Sequence, residues 1–153
     1  MNIVEYLKKV GVKHEVFQHR SAFTAQQMAA EQHIPGIKVA KPVIVKADNK
    51  YYMCVLPACC KIDLDNLKKQ LGAKKLELAD EKEMTKLFPD CSLGAEPPFG
   101  NLYDMTTVMD KMLEPDDEIV FQAGTHEQAV RLSMADYRKL VNPSILTFCY
   151  HLA

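Results

Sequence analysis

Ile3, Val4, Leu7 and Val10 recur at the spacing of one helix face, with Asn2 in front as a cap and Gly11 behind as a stop, so residues 3–10 are predicted helical. Residues 14–18 alternate as a short strand. Thr24-Ala25-Gln26-Gln27 has capping-box spacing, and the helix it opens over 24–31 must end before Pro35. Two apolar runs, 39–46 and 51–56, flank the turn Ala47-Asp48-Asn49-Lys50 and read as a hairpin. Asp63 caps a helix with Leu64, Leu67 and Leu71 on one face, closed by Gly72. A short strand at 76–78 precedes a helix opened by Asp80 and running to Phe88. The Pro- and Gly-dense stretch 89–100 is predicted to be a stiff loop, followed by strands at 105–110, 118–123 and 129–132. Ser133 caps a last helix over 134–141, which Asn142-Pro143 stops, and the tail 144–153 follows neither period clearly. Strands and helices mix without strict alternation, repeat or linker. The expectation is one α/β (α+β mixed) domain over 1–153, built on a twisted, largely antiparallel sheet flanked by helices.

Composition narrows the class. At 153 residues, 48% apolar and 25% charged, the chain sits near the globular average, which excludes disordered and collagen-like proteins. No eighteen apolar residues run together, so no membrane partner is expected. The first lysines follow the apolar residues and no small-residue cleavage site is present, which points to a soluble, cytoplasmic protein. Five cysteines are an odd number, and neither C-x-x-C nor H-x-x-x-H occurs, so no zinc site and no cofactor are expected. The net charge of −1 conceals an asymmetry: residues 1–75 carry 13 Lys/Arg against 6 Asp/Glu, and the remainder 6 against 14. A duplex DNA wrapper would be basic overall. Lys38, Lys41, Lys46, Lys50 and Lys61 form either a local basic face for a small piece of nucleic acid or a set of solvated lysines.

Four places carry candidate chemistry. Alternation puts Val39, Lys41, Val43 and Val45 on one strand face and Ala40, Pro42, Ile44 and Lys46 on the other. If the valine face is buried, Lys41 goes in with it, and an ammonium is rarely buried without a partner or a cleft; alternatively it snorkels to solvent. The loop Leu93-Gly94-Ala95-Glu96-Pro97-Pro98-Phe99-Gly100 is stiffened by two prolines and can hold backbone N–H groups at fixed positions, or is simply rigid. His126, in the turn Gly124-Thr125-His126-Glu127, is either a proton-transfer group or an exposed turn residue. Cys59-Cys60 precedes a helix, where a thiol pKa can fall, although buried inert cysteine is the simpler reading.

These segments, in this order, resemble the YbaK/prolyl-tRNA synthetase-associated domain family of aminoacyl-tRNA deacylases. The resemblance rests on Ala40-Lys41-Pro42-Val43-Ile44-Val45, on Val55-Leu56-Pro57-Ala58 leading into Ile62-Asp63-Leu64, and on Leu78-Ala79-Asp80-Glu81. It rests further on the loop from Leu93 to Gly100 and on Ala123-Gly124-Thr125-His126 through Val130-Arg131-Leu132-Ser133, and it covers the chain from the first helix to about Pro143. It implies trans-editing, the hydrolysis of the ester joining a wrong amino acid (Ala, Cys or Ser by subtype) to the 3′ end of tRNA, tRNA(Pro) above all. It places the family's lysine on Lys41, its G-x-x-x-P loop on Gly94-Ala95-Glu96-Pro97-Pro98 and its pocket-facing turn on Gly124-Thr125-His126.

On that resemblance Lys41, Gly94 and His126 are the catalytic candidates. Ala95, Glu96, Pro97, Pro98, Phe99, Gly100, Gly124 and Thr125 are the substrate-binding ones. It implies no protein nucleophile, metal or cofactor, with loop amides holding the developing oxyanion and Lys41 acting as a positive group. The implied partners are mischarged tRNA and, as helpers, a prolyl-tRNA synthetase or an elongation factor. Pro42 stands where some alanine-specific relatives carry a polar residue, so that position has no N–H or polar side chain to donate. A non-catalytic module that binds a charged tRNA end or a free amino acid, or docks onto a synthetase, shares Lys41 and the loop; a third class is a thiol enzyme using Cys59 or Cys60.

Overall fold

The computed structural model describes residues 2–18 and 39–151. The helix expected over 24–31 and Lys38 of the basic face lie outside the described residues. Four α-helices are described: α1 (Ile3–Val10), α2 (Leu64–Leu71), α3 (Glu81–Leu87) and α4 (Met134–Val141). Each begins where a short polar side chain accepts an otherwise unpaired first-turn amide. Asn2 takes that of Glu5 at 2.9 Å, Asp63 that of Asn66 at 3.1 Å and Ser133 that of Asp136 at 3.1 Å. Asp80 and Glu83 exchange both bonds of a capping box.

The strands are β1 (His14–Gln18), β2 (Ala40–Ala47), β3 (Lys50–Pro57), β4 (Cys60–Ile62), β5 (Leu76–Leu78), β6 (Thr106–Asp110), β7 (Glu118–Gln122), β8 (Gln128–Ser133), β9 (Ser144–Leu146) and β10 (Cys149–His151). They form a five-stranded sheet in the order β5-β2-β3-β6-β9, a three-stranded sheet β1-β8-β7 and a two-stranded ribbon β10-β4. Only the pairings β3–β6 and β6–β9 are parallel within these sheets, so the architecture is mixed and largely antiparallel, as the sequence leads one to expect. The single sheet of the sequence reading is, however, three. β4, β9 and β10 are three residues each, too short to show a period.

The β2–β3 hairpin closes through Asp48 and Asn49, both at positive φ (48° and 69°), the conformation that matches a tight turn to strand twist. The Asp48 carboxylate also accepts the Lys74 and Lys75 amides, which hold its carboxyl below the ordinary range and tie the turn to the start of β5.

Both faces of the large sheet are covered. On one, Ala40, Ile44, Met53, Val55 and Met109 meet Phe99, Phe121 and Tyr137, with Ile3 and Leu7 of α1. On the other, Val45, Cys54, Leu56 and Val108 meet Cys60, Leu67 and Phe148. No described helix is long and apolar enough to cross a membrane.

Gly100 sits at a close approach in this packing. A Cβ there would lie 2.4 Å from Thr107 Oγ1 and 2.8 Å from the Met105 carbonyl oxygen. Gly100→Ala is therefore expected to destabilise the fold by about 1–3 kcal/mol through overpacking. Differential scanning calorimetry should show the midpoint falling by roughly 2–4 °C per kcal/mol.

Candidate active site

β5 pairs with β2 only at residues 45–47, and the Ala79 amide then donates to the Ile44 carbonyl at 3.0 Å before the chain turns into α3. That bond shows that the main-chain groups of Ile44, and hence those of Pro42 two residues earlier, face the side β5 leaves open. Pro42 thus sits inside a strand without costing the ladder a bond, because its nitrogen points away from β3. At its start β2 touches the other sheet through the Val39–Val120 bridge. A cavity of about 460 Å³ opens in this gap. It is floored by Ala40, Pro42 and Ile44, walled by Leu78, Ala79 and Met84, and closed by Leu93, Gly94, Glu96 and Gln122. That volume suits a small ligand or the end of a larger one.

Lys41 borders the cavity, with its side chain on the β2 face opposite Ala40, Pro42 and Ile44. On the valine face Val39 and Val45 are fully buried, and Val43 and Lys41 are partly buried; on the other face Ala40 and Ile44 are buried too. Burial pushes the Lys41 ammonium below its ordinary pKa of 10.5; Cys60, Cys59 and Cys149 oppose the shift, and Lys61 adds to it.

The loop departs from the expectation of free backbone donors. Gly94 adopts φ +87°, which favours glycine, and its amide donates to Glu96 Oε1 at 3.1 Å. The Glu96 amide turns on the same carboxylate. Ala95 donates to the Ser92 carbonyl, Phe99 to that of Pro97, and Gly100 to Thr107 Oγ1. The two prolines have no N–H to offer. The loop is thus a wrapped anion nest whose occupant is its own glutamate. Glu96 is 4% exposed; burial pushes its carboxyl up, against the two amides and the nearby His126.

Of the remaining candidates, Ala95, Pro98, Phe99 and Gly100 do not line the cavity, because they anchor the loop in the core. The Phe99 ring packs 5.5 Å from Phe121 and 5.3 Å from Tyr137, and the Tyr137 hydroxyl donates to the Pro98 carbonyl at 2.6 Å. Pro97, Gly124 and Thr125 line a separate cleft of about 120 Å³. His126 is not among the cavity-lining residues; its Nε2 lies 2.8 Å from the Leu93 carbonyl oxygen, as a donor, and steadies the loop from behind. The loop is further tied to this turn by Gly124 N–H to the Ala95 carbonyl and Ser92 N–H to that of Gly124, both 2.8 Å.

A profile of the aminoacyl-tRNA editing domain matches residues 19–140, most of the chain. The chain belongs to the aminoacyl-tRNA editing domain family. It is 27% identical over 151 residues to the multifunctional Ser/Thr-tRNA deacylase ProXp-y of Escherichia coli (strain K12), covering 95% of this chain and 90% of that one. It is 25% identical over 152 residues to the prolyl-tRNA editing protein ProX of Acetoanaerobium sticklandii, covering 95% and 92%. Among solved structures, a hypothetical protein superposes with a TM-score of 0.86 at 17% identity over 97% of this chain and 99% of that one. A candidate trans-editing enzyme for prolyl tRNA synthetase gives 0.83 at 18% identity over 97% and 94%. These two likenesses show the fold, and the profile places the chain among the YbaK/ProX editing deacylases.

In this editing domain Cys54, Cys60, Cys91 and Cys149 are poor nucleophiles, because desolvation raises the pKa of each thiol. Cys60 lies in β4, not at a helix N-terminus, and is fully buried; desolvation and neighbouring Cys59 push its pKa up to about 11. Cys54 and Cys91 are pushed up to about 12. The lowered thiol pKa entertained from the sequence is thus reversed at Cys60, because Asp63 caps α2 and Cys60 packs against Met112 at 3.9 Å. At pH 7.5 a thiol of pKa 11 is ionised in about one molecule in three thousand. Iodoacetamide treatment at that pH is expected to leave deacylation within about twofold of the untreated rate. Complete inactivation in that assay would restore the thiol mechanism. Among the described residues no group of three or more His, Cys, Asp or Glu side chains is disposed to hold a metal ion.

Sequence reasoning missed Gln122, 4% exposed at the end of β7 and lining the cavity. A polar residue closing the apolar run Ile119-Val120-Phe121 is the signal that was available. It also missed Met84, Leu78 and Ala79, whose roles follow from where β5 stops.

Proposed function

We propose that this chain hydrolyses, in trans and without a metal, the ester between a small mischarged amino acid (alanine, cysteine or serine) and the 3′ end of tRNA, with tRNA(Pro) the preferred carrier. The observation that carries the reading is the meeting of a half-buried lysine, the Gly94 loop and a buried carboxylate around one cavity in a member of the editing family. The names of the relatives, a prolyl-tRNA editing protein and a Ser/Thr-tRNA deacylase, support the carrier and the size class, and add threonine to the substrates worth assaying.

Among the described residues, those that line the cavity include no Ser, Thr, Cys or His. In this reading the attacking group is water, and the ribose hydroxyl next to the ester is the proton relay closest to the reacting carbon. An aminoacyl ester is already activated, so the protein needs chiefly to hold it and stabilise charge. Lys41, at the open edge of β2, supplies the positive charge for the terminal phosphate and the developing oxyanion. The small cavity excludes longer side chains, although one methylene discriminates by only about 1–3 kcal/mol. The test is single-turnover hydrolysis of tRNA(Pro) and other tRNAs charged with Ala, Cys, Ser, Thr or Pro, with and without EDTA. Rapid release of one or more small residues, unaffected by EDTA, with Pro-tRNA(Pro) spared, is the expected result. Protection of the ester without turnover would establish a binding module instead.

A further inference from the structure

Glu96 is buried yet lines the ligand cavity. A carboxylate in that position needs hydrogen bonds or a cation to offset its lost hydration. The Gly94 amide, 3.1 Å from Oε1, and its own amide fill part of the four or so acceptor positions a carboxylate has. Among the described residues, the ion pairs of Arg131 and Arg138 go to Glu15, Glu118 and Glu114, and none joins a lysine or arginine to Glu96. Lys41 borders the same cavity, but its charged and titratable neighbours are Cys59, Cys60, Cys149 and Lys61. His126, the titratable neighbour that acts on Glu96, directs its Nε2 to the Leu93 carbonyl. The cavity therefore holds an anionic acceptor, preset by two amides, with capacity for a donor that arrives with the ligand.

An aminoacyl ester carries such a donor on the carbon next to its carbonyl. We infer that Glu96 receives the α-ammonium group of the bound aminoacyl ester and so fixes which way the carbonyl faces, an inference that rests on the hydrolase reading above. The loop amides then serve the substrate indirectly: they hold the glutamate rather than the oxyanion. A consequence is selectivity for a free amino group. Esters whose nitrogen is acylated, as at the end of a peptidyl- or formyl-aminoacyl-tRNA, lose the charge that Glu96 would receive, and are spared.

The test uses the full chain and two non-hydrolysable probes. One is 3′-deoxyadenosine carrying a 3′-amide of the amino acid whose ester the wild type hydrolyses; the other is its counterpart lacking the α-amino group. A charge-assisted hydrogen bond predicts that the wild type binds the amino probe about 10- to 100-fold more tightly by calorimetry. In Glu96→Gln, which retains an oxygen for the Gly94 amide, the preference is expected to shrink to about threefold or less, with binding of the desamino probe unchanged. That unchanged binding is also the check that the variant is folded; Glu96→Asp serves the same comparison if the glutamine variant does not fold. In parallel, the N-acetylated aminoacyl-tRNA is expected to be hydrolysed at least about tenfold more slowly than the free one by the wild type. Equal binding of both probes by the wild type, or an undiminished preference in the folded variant, overturns the inference while leaving the hydrolase reading intact. Absence of hydrolysis of every aminoacyl ester overturns the hydrolase reading and this inference with it.

Discussion

Lys41→Ala is expected to lower kcat/KM for deacylation by about 10²-fold or more, the scale on which removal of one charge-stabilising donor acts. The thermal midpoint should hold or rise slightly. The reason lies in the sign of the linkage. Burial lowers the Lys41 pKa in the folded state, so the unfolded chain binds that proton more tightly. The group therefore costs stability at neutral pH, and the cost fades as pH rises through the lowered folded value toward the ordinary 10.5. Among the described residues no carboxylate forms an ion pair with this ammonium, so its removal strands no partner. The same shift predicts an alkaline fall in kcat/KM that sets in below the range of a solvated lysine and is missing from the alanine variant. Lys41→Arg keeps the charge but brings a wider, planar group into a half-buried position, and should recover only part of the rate. Full activity in Lys41→Ala, with circular dichroism and midpoint unchanged, would falsify the assignment of the lysine.

What the sequence disclosed and what it withheld divide along the range of the interactions. Caps are local, so Asn2, Asp63, Asp80 and Ser133 mark helix starts correctly. Turns are local, so Asp48-Asn49 foretells the hairpin and its register. The face of β2 that carries Val39, Lys41, Val43 and Val45 follows from period two alone. The partition of strands among three sheets does not, because β9 and β10 each pair with segments far away in the chain. Nor does the state of the loop amides. Gly94 and two prolines announce a stiff turn, yet whether its N–H groups face a ligand or fold back on Glu96 depends on burial of Ala95 and Phe99, both fully inaccessible to solvent. The cavity itself is a long-range product. It exists because β5 is three residues long and leaves the edge of β2 uncovered where Pro42 needs no partner. A proline that looked like a departure from a relative's polar residue is, in packing terms, suited to an edge that faces a ligand.

Asp110→Ala is expected to cost about 3–5 kcal/mol of folding stability, more than any other single change considered. Asp110 is fully buried at the end of β6, and its carboxylate accepts three main-chain amides: Met112 at 2.9 Å on Oδ1, and Phe148 at 2.8 Å and Cys149 at 2.9 Å on Oδ2. Alanine would leave buried donors without acceptors, each worth about 1–3 kcal/mol. The effect reaches beyond the side chain because Phe148, itself buried, accepts the Asp63 amide at 2.7 Å, and Cys149 opens the strand that pairs with β4. The tail, the start of α2 and β4 are thus fastened through one carboxylate. Asp110→Asn keeps one oxygen but turns an NH2 group toward amides, so about half of the loss should remain. Urea unfolding would show the midpoint falling with little change in slope, in the order wild type, asparagine, alanine. The tail also carries Cys149, one of the groups around the Lys41 ammonium, so loosening it bears on the cavity edge. At a temperature where the asparagine variant is fully folded, its kcat should stay close to wild type while its KM for tRNA rises. A carboxylate that only fills space would give both variants wild-type midpoints, and the fastening role would then be wrong.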